Sequence, residues 1–376
     1  MFLKKIILFI LGLLVVTNLN AQLEISNTNP NYLSYNGKDL ILLGATASNN
    51  DFHVLDFQVE FLDSMKIYGA NHTWFMLENF YNVQWSYTKN TPKSFYDKIE
   101  TICKRAYELD IIVGISFYGY GLINYPTVYS FNSSCPCKGD PGPLINPMDF
   151  YDVNSKDPLV VEAREVQLKI INETLKKTWK YPNVYYSPGW EIKCIWNNNV
   201  KTWFTYIDKY IKSEGAKIDP NIKHLIAIER TTSASEFTQI KADFTIDEDG
   251  NAKKTSGIPF VYWSTDGIYR NTSVWNNKLT EPKSNLQNMK QVLLDGAAGT
   301  ASIWQVNLIE KQYLKTLNTY LSLQDSTILF DSSLNKEILK AIPDTVWHDE
   351  ELNLLPQFNI KNDNIAPEKP YNVRIF

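Results

Sequence analysis

Eight short apolar runs alternate with amphipathic helical runs between about residue 39 and about residue 325, and this alternation limits the possible folds more than any other feature of the chain. The strand-like runs are LILLGA (40–45), HTWFMLE (72–78), IIVGISFYG (111–119), NVYYSPGWE (183–191), HLIAIER (224–230), ADFTID (242–247), IPFVYWSTDG (258–267) and TASIWQVN (300–307). Helical spacing separates them, for example in SFYDKIETICKRAYELD (94–110), PLVVEAREVQLKIINETLKKTW (158–179) and VKTWFTYIDKYIKSEG (200–215). Strands joined through helices run parallel, and eight such units in roughly 300 residues predict an α/β chain folded as a (β/α)8 TIM barrel. The runs are nearly continuous in apolar residues, as strands covered on both faces are. A doubly wound open sheet has the same alternation, but no GxGxxG turn follows the first run.

The flanks read differently. NPNYLSYNGKDL (29–40) predicts a hairpin turning at Asn36-Gly37 and capping the bottom of the barrel. After about residue 323 the periodicity breaks down, so the barrel is expected over 22–325 and an irregular C-terminal extension over 326–376. The final APEKPYNVRIF resembles the linker and first strand of a fibronectin type III repeat. At the other end, Lys4 and Lys5 precede the apolar run 6–16, and Ala21 supplies a small residue for cleavage. The segment 1–21 therefore reads as a secretory signal peptide, with an exported mature chain beginning at Gln22.

Composition narrows the function classes. A net charge of -4 without a basic cluster argues against a nucleic-acid partner, and no second apolar run of membrane length follows the leader. The chain holds 10 Trp, 22 Tyr and 18 Phe, many in polar stretches such as NVQWSY and KCIWNNN, where rings beside amides suit the apolar and hydroxylated faces of sugars. Of the four cysteines, Cys103 sits in a helical pattern and reads as a buried thiol, while Cys194 can pair with Cys135 or Cys137. The CxC spacing and four scattered histidines do not suit a metal site, and no cofactor is implied.

In a barrel of this kind chemistry collects at the C-terminal ends of the strands. Those positions carry Glu78, Tyr118, Trp190, Glu191, Glu229, Trp263, Asp266 and Trp304, with Trp74 inside the second strand. No histidine stands there to activate a serine or cysteine. Paired carboxylates among aromatic platforms fit glycosidic cleavage, in which one acid protonates the leaving oxygen while the other, ionised, attacks carbon or activates water. Each residue also has a plain structural role available: Glu191 can pair with Lys193 or Arg230, and Asp266 can cap the turn at Gly267.

YPNVYYSPGWEI (181–192) resembles the fourth-strand motif of clan A glycoside hydrolases, the cellulase-like (β/α)8 group, usually written yPNViyevxNEP. NPNYLSYNGKDLILLGA (29–45) resembles the hairpin and first strand of that group, and LLDGAAGTASIW (293–304) its last helix and eighth strand. Together with the leader, the resemblance implies an exported retaining hydrolase of a poly- or oligosaccharide with Glu191 as acid/base; Asp266, one residue before Gly267, stands near the group's nucleophile position, and Glu229, which ends the fifth run, is the alternative nucleophile. The resemblance also implies a sugar platform for Trp304; Trp74, Glu78, Tyr118, Trp190 and Trp263 are read as further sugar contacts from their places on the strands, with Trp74 and Trp190 equally able to fill space that the group gives to polar side chains. Three positions depart from the pattern. Trp190 replaces an Asn, Trp74 replaces an Arg, and Asp266 is offset from a Glu at the end of the seventh strand. These departures keep a second reading open, a glycan-binding barrel without catalysis.

Overall fold

The computed structural model describes residues 22–45, 55–67, 70–77, 91, 93–118, 151–189, 198–229, 240, 242–247, 257–262, 293 and 296–302. The chain divides into two units, 1–342 and 343–376, and every described residue belongs to the first.

Three short antiparallel strands open the chain: β1 (Glu24–Ile25), β2 (Leu33–Tyr35) and β3 (Lys38–Leu40). Asn36 and Gly37 join β2 to β3 with φ of 55° and 70°, the pair of left-handed residues that a two-residue hairpin loop requires. Leu23 N donates to Pro182 O at 3.0 Å, and the Gln22 amide bonds the backbone of Lys223. Pro182 and Lys223 both precede barrel strands, so the segment leading into β1 lies at the N-terminal end of the barrel, and the Asn36-Gly37 hairpin forms as its turn chemistry predicts.

All eight predicted strands form: β4 (Leu42–Ala45), β5 (His72–Met76), β6 (Ile112–Ser116), β7 (Val184–Ser187), β8 (Ala227–Glu229), β9 (Phe244–Asp247), β10 (Phe260–Tyr262) and β11 (Gly299–Ser302). They make one parallel sheet in the order β7-β6-β5-β4-β11-β10-β9-β8, and the Tyr186–Ile226 bridge joins its two edges. The register proves the closure. Glu229, Ile246, Val261, Gly299 and Leu42 pair in succession. Two residues on, Gly44, His72 and Ile112 pair, and two further on Gly114 pairs with Tyr185. One further on, Tyr186 bridges Ile226, three residues short of Glu229. The ring thus re-enters itself eight residues along, the stagger of an eight-stranded barrel with strands tilted about 36°.

Alternation along the strands sorts interior from exterior. His72 Nε2 lies 3.0 Å from the Tyr185 hydroxyl although β6 stands between them, and the Tyr185 ring meets Phe244 edge-on at 4.9 Å across β8. Contacts that skip a strand form on the concave face, so these residues and their register partners line the interior. Large residues on β5, β7 and β9 (His72, Trp74, Tyr185, Phe244) interleave with small ones on β4, β6 and β8 (Gly44, Gly114, Ala227). The residue just before each of those larger-bearing strands clasps the preceding strand. Asn71 donates to Ile41 O and accepts from Leu43 N, Asn183 donates to Ile111 O, and Asp243 accepts from Ile226 N, all within 2.9 Å.

Burial alone brings the His72 pKa down to about 3. The unfolded ring takes up a proton near pH 6.5, so below that pH the unfolded chain binds a proton that the folded chain refuses. Stability is therefore lost as pH falls from 6.5 toward 3. The expected result is a loss of about 3 kcal/mol between pH 7 and pH 4 attributable to this group, read by urea unfolding. The His72→Gln variant should lack that component of the slope.

Helices α1 (Leu55–Ile67), α2 (Lys93–Glu108), α3 (Pro158–Thr178) and α4 (Asn198–Ile218) follow the first four barrel strands in turn. In α2 the buried Phe95, Tyr96, Ile99, Ile102, Cys103 and Ala106 recur at helical spacing, and Cys103 is a buried free thiol as expected. Asp157 caps α3 by accepting from Leu159 N at 2.8 Å, with Pro158 in the first turn where its missing N–H costs nothing. On the outer face of β7, Tyr186 stacks between Trp179 and Phe117, and its hydroxyl lies 2.8 Å from Thr178 Oγ1. Trp179 in turn lies over Gly215 of α4. A helical Gly→Ala change ordinarily gains up to about 1 kcal/mol. Here the methyl would enter the indole, so Gly215→Ala is expected to lower the melting temperature. The expected helices over 233–241 and 285–299 lie outside the described residues, apart from Ile240, Leu293 and 296–299, where Gly299 already belongs to β11.

Candidate active site

Because all eight strands are parallel, the chain leaves the barrel at one rim after Ala45, Met76, Ser116, Ser187, Glu229, Asp247, Tyr262 and Ser302. The β7 exit is the best defined of these. Ser187, Pro188 and Gly189 are all buried. Pro188 has a fixed φ and holds Ser187 extended. Ser187 Oγ donates to Gly189 O at 2.9 Å, and Phe117 N donates to Ser187 O at 3.0 Å. Ser116, the register partner of Ser187 on β6, repeats the arrangement by donating its hydroxyl to Tyr118 O at 3.3 Å. Two neighbouring strands thus end in buried serines that tie down the carbonyl two residues on.

The predicted site residues fall into three groups. Glu191 and Trp190 follow Gly189 directly in the chain, Glu78 follows β5, Trp263 and Asp266 follow β10, and Trp304 follows β11; all six lie outside the described residues. Glu229 is the last residue of β8, in register with Ile246. Position 229 belongs to the alternate set that includes Tyr185, Gly114 and Trp74, whereas position 247, in register with Tyr262, belongs to the other set. Trp74 and Tyr118 are packing residues. Trp74 is 2% exposed inside the barrel, beside Gly114, where it fills space rather than forming an open platform. Tyr118 is fully buried, donates its hydroxyl to Gln167 O at 3.1 Å and meets Trp203 edge-on, and burial raises its pKa. Both were expected to contact sugar. A ring that ends a strand run in sequence can turn back onto the helix layer, as Tyr118 does, and Trp74 takes the space-filling place that the sequence also left open for it. Among the described residues no cluster of three or more metal-ligating side chains occurs.

The sequence reading missed the serines. The signal for Ser187 was the Ser-Pro-Gly order at the end of the fourth run, in which a short hydroxyl precedes a rigid and then a permissive residue; Ser116, followed by Phe117 and Tyr118, carries no such signal.

No protein-family model and no curated protein matches this chain. Solved structures do. An endo-1,4-β-mannanase from Rhizomucor miehei superposes with a TM-score of 0.51 at 14% identity, over 81% of this chain and 100% of its own. An endo-1,4-β-mannanase from Eisenia fetida gives 0.50 at 10% identity, over 81% of this chain and 97% of its own. What they share with this chain is the fold. A glycoside hydrolase family 5 protein from Bacteroides vulgatus aligns at 16% identity with a TM-score of 0.48, over 76% of this chain and 62% of its own, so this chain spans less than two thirds of that protein.

Proposed function

We propose that the chain is an exported glycoside hydrolase that cleaves O-glycosidic bonds of a poly- or oligosaccharide with retention. Glu191 is the general acid/base, and Asp266 or Glu229 is the nucleophile. The observation that carries this reading is the β7 exit. A buried strand is tied down through Gly189 at the C-terminal rim of a closed barrel, and the motif puts its carboxylate two residues further on. Register supports Glu229 as a partner, because position 229 ends its strand in the interior alternate set. In the forward step the Glu191 carboxylic acid gives its proton to the leaving oxygen while the second carboxylate bonds the anomeric carbon. Water then displaces the enzyme with Glu191 acting as base. The scheme needs Glu191 protonated when substrate binds, and an apolar neighbour together with a second carboxylate would raise its pKa to that end. No metal or cofactor takes part in this scheme.

A glycan-binding barrel without catalysis is the second reading. It is favoured by Trp74, which occupies with buried indole the position where the resemblance implies an arginine. Reducing-end release separates the two. The panel holds soluble polysaccharides, β-1,4-mannan among them because two structural neighbours carry that activity in their names, and aryl glycosides. Turnover that disappears in Glu191→Gln supports the hydrolase; saturable binding with no turnover on the whole panel supports the binding barrel.

Residues 1–21 are proposed as the export leader. Among the described residues no helix is long and apolar enough to cross a membrane.

A further inference from the structure

Gly189 is a soft joint between β7 and the segment that carries Glu191. Strand pairing fixes Val184 to Ser187, and Pro188 has its φ locked by its ring. Gly189 has no such restraint, because a residue without Cβ reaches conformations closed to others. Its carbonyl belongs to the peptide plane that leads into Trp190, one residue before the carboxylate. The hydroxyl that holds this carbonyl is Ser187 Oγ, at 2.9 Å and 1% exposed, where no bulk water can replace it. Ser187 itself is anchored through Phe117 N, and the same hydroxyl-to-carbonyl tie occurs on its register partner Ser116, whose strand exit does not lead to the acid.

We propose that Ser187 is a positioning residue: by fixing the Gly189–Trp190 peptide plane it aims the Glu191 acid at the leaving oxygen. The proposal rests on the hydrolase reading and adds to it a residue that touches neither substrate nor reacting atoms. Loss of the hydroxyl frees the joint and spreads the orientation of the acid, and misplacement by about 1 Å costs on the order of a hundredfold in rate. The cost falls on protonation of the leaving group. Substrates whose leaving group departs unaided escape it.

The test compares wild type, Ser187→Ala, Ser187→Thr, Ser116→Ala and Glu191→Gln on a series of aryl glycosides spanning poor to good leaving groups, with melting temperatures measured alongside. For Ser187→Ala the expected result is a loss of kcat of about 10- to 100-fold on the poorest leaving group, shrinking to about threefold on the best, with KM within about threefold. Ser187→Thr keeps the hydroxyl and should recover most of the rate. Ser116→Ala removes a matched buried tie, so it should lower the melting temperature without steepening the leaving-group dependence. Ser187→Ala with wild-type leaving-group dependence overturns the proposal, and so does Ser116→Ala steepening it equally. If Ser187→Ala does not fold, Ser187→Cys decides, because its thiol is only a weak donor: a steepened dependence upholds the proposal and a wild-type dependence overturns it. Failure of the hydrolase reading looks different, because the wild type then turns over none of the series and Glu191→Gln changes nothing. In that event the proposal falls with the reading on which it rests.

Discussion

Glu191→Gln is expected to lower kcat/KM on polysaccharide by about a thousandfold, within the usual range of 10²- to 10⁴-fold for removal of a general acid. The amide preserves size and hydrogen bonding but has no proton to give, so the loss reports chemistry rather than packing. It should be greatest for leaving groups that need protonation. The pH profile provides an independent check. An acid with a raised pKa delivers its proton only below that pKa, so wild-type activity falls as pH rises through it, and Glu191→Gln should have no such alkaline limb. Removal of the nucleophile should be more severe and independent of leaving group. Asp266→Asn and Glu229→Gln therefore divide the role: the true nucleophile loses nearly all turnover, and the other residue retains turnover within about tenfold. A Glu191→Gln enzyme as active as wild type would remove the acid from the scheme altogether.

Gly114→Val is expected to destabilise the barrel by about 3 kcal/mol or more, at the upper end of what overpacking costs. A Cβ at Gly114 would meet Trp74 Cδ1 at 2.6 Å and would run into Cζ and the hydroxyl oxygen of Tyr185. Neither neighbour has room to yield. Trp74 is 2% exposed, and Tyr185 is fully buried, held by His72 on one side and Phe244 on the other. Close-packed interiors transmit such strain instead of absorbing it. Urea unfolding of wild type, Gly114→Ala and Gly114→Val should show a graded fall in midpoint. An unchanged midpoint for Gly114→Val would mean that the interior layer is not packed as described.

The strands were legible in the sequence because each is a short apolar run bounded by turns, and parallel pairing follows from the helices between them. The Asn36-Gly37 hairpin was legible for a local reason: two left-handed residues specify one turn. Strand parity was harder to read. Nearly continuous apolar runs such as IIVGISFYG carry no alternation to separate inside from outside, and only contacts that skip a strand, such as His72 with Tyr185, fix the set. For the same reason the packing of Tyr118 and Trp74 could not be read from the runs that hold them. Sequence proximity to a strand end does not report that one hydroxyl reaches Gln167 O or that one indole fills the space beside Gly114. A ten-residue gapless match ending at Glu191 picks out the candidate acid, but the hydroxyl tie that precedes it leaves no such mark. The Ser187 tie is a single hydroxyl, and its meaning depends on the fold around it.

The separation of the Glu191 carboxyl from those of Asp266 and Glu229, measured in a crystal structure, tests the two-carboxylate account most directly, because it does not depend on knowing the sugar. The account predicts about 5 to 5.5 Å to one of the two partners, the spacing of a retaining hydrolase. A gap of about 6.5 to 9.5 Å would keep the hydrolase but replace retention with inversion. If both partners stand beyond that range, Glu191 has no second carboxylate to work with, and the glycan-binding barrel takes the place of the enzyme.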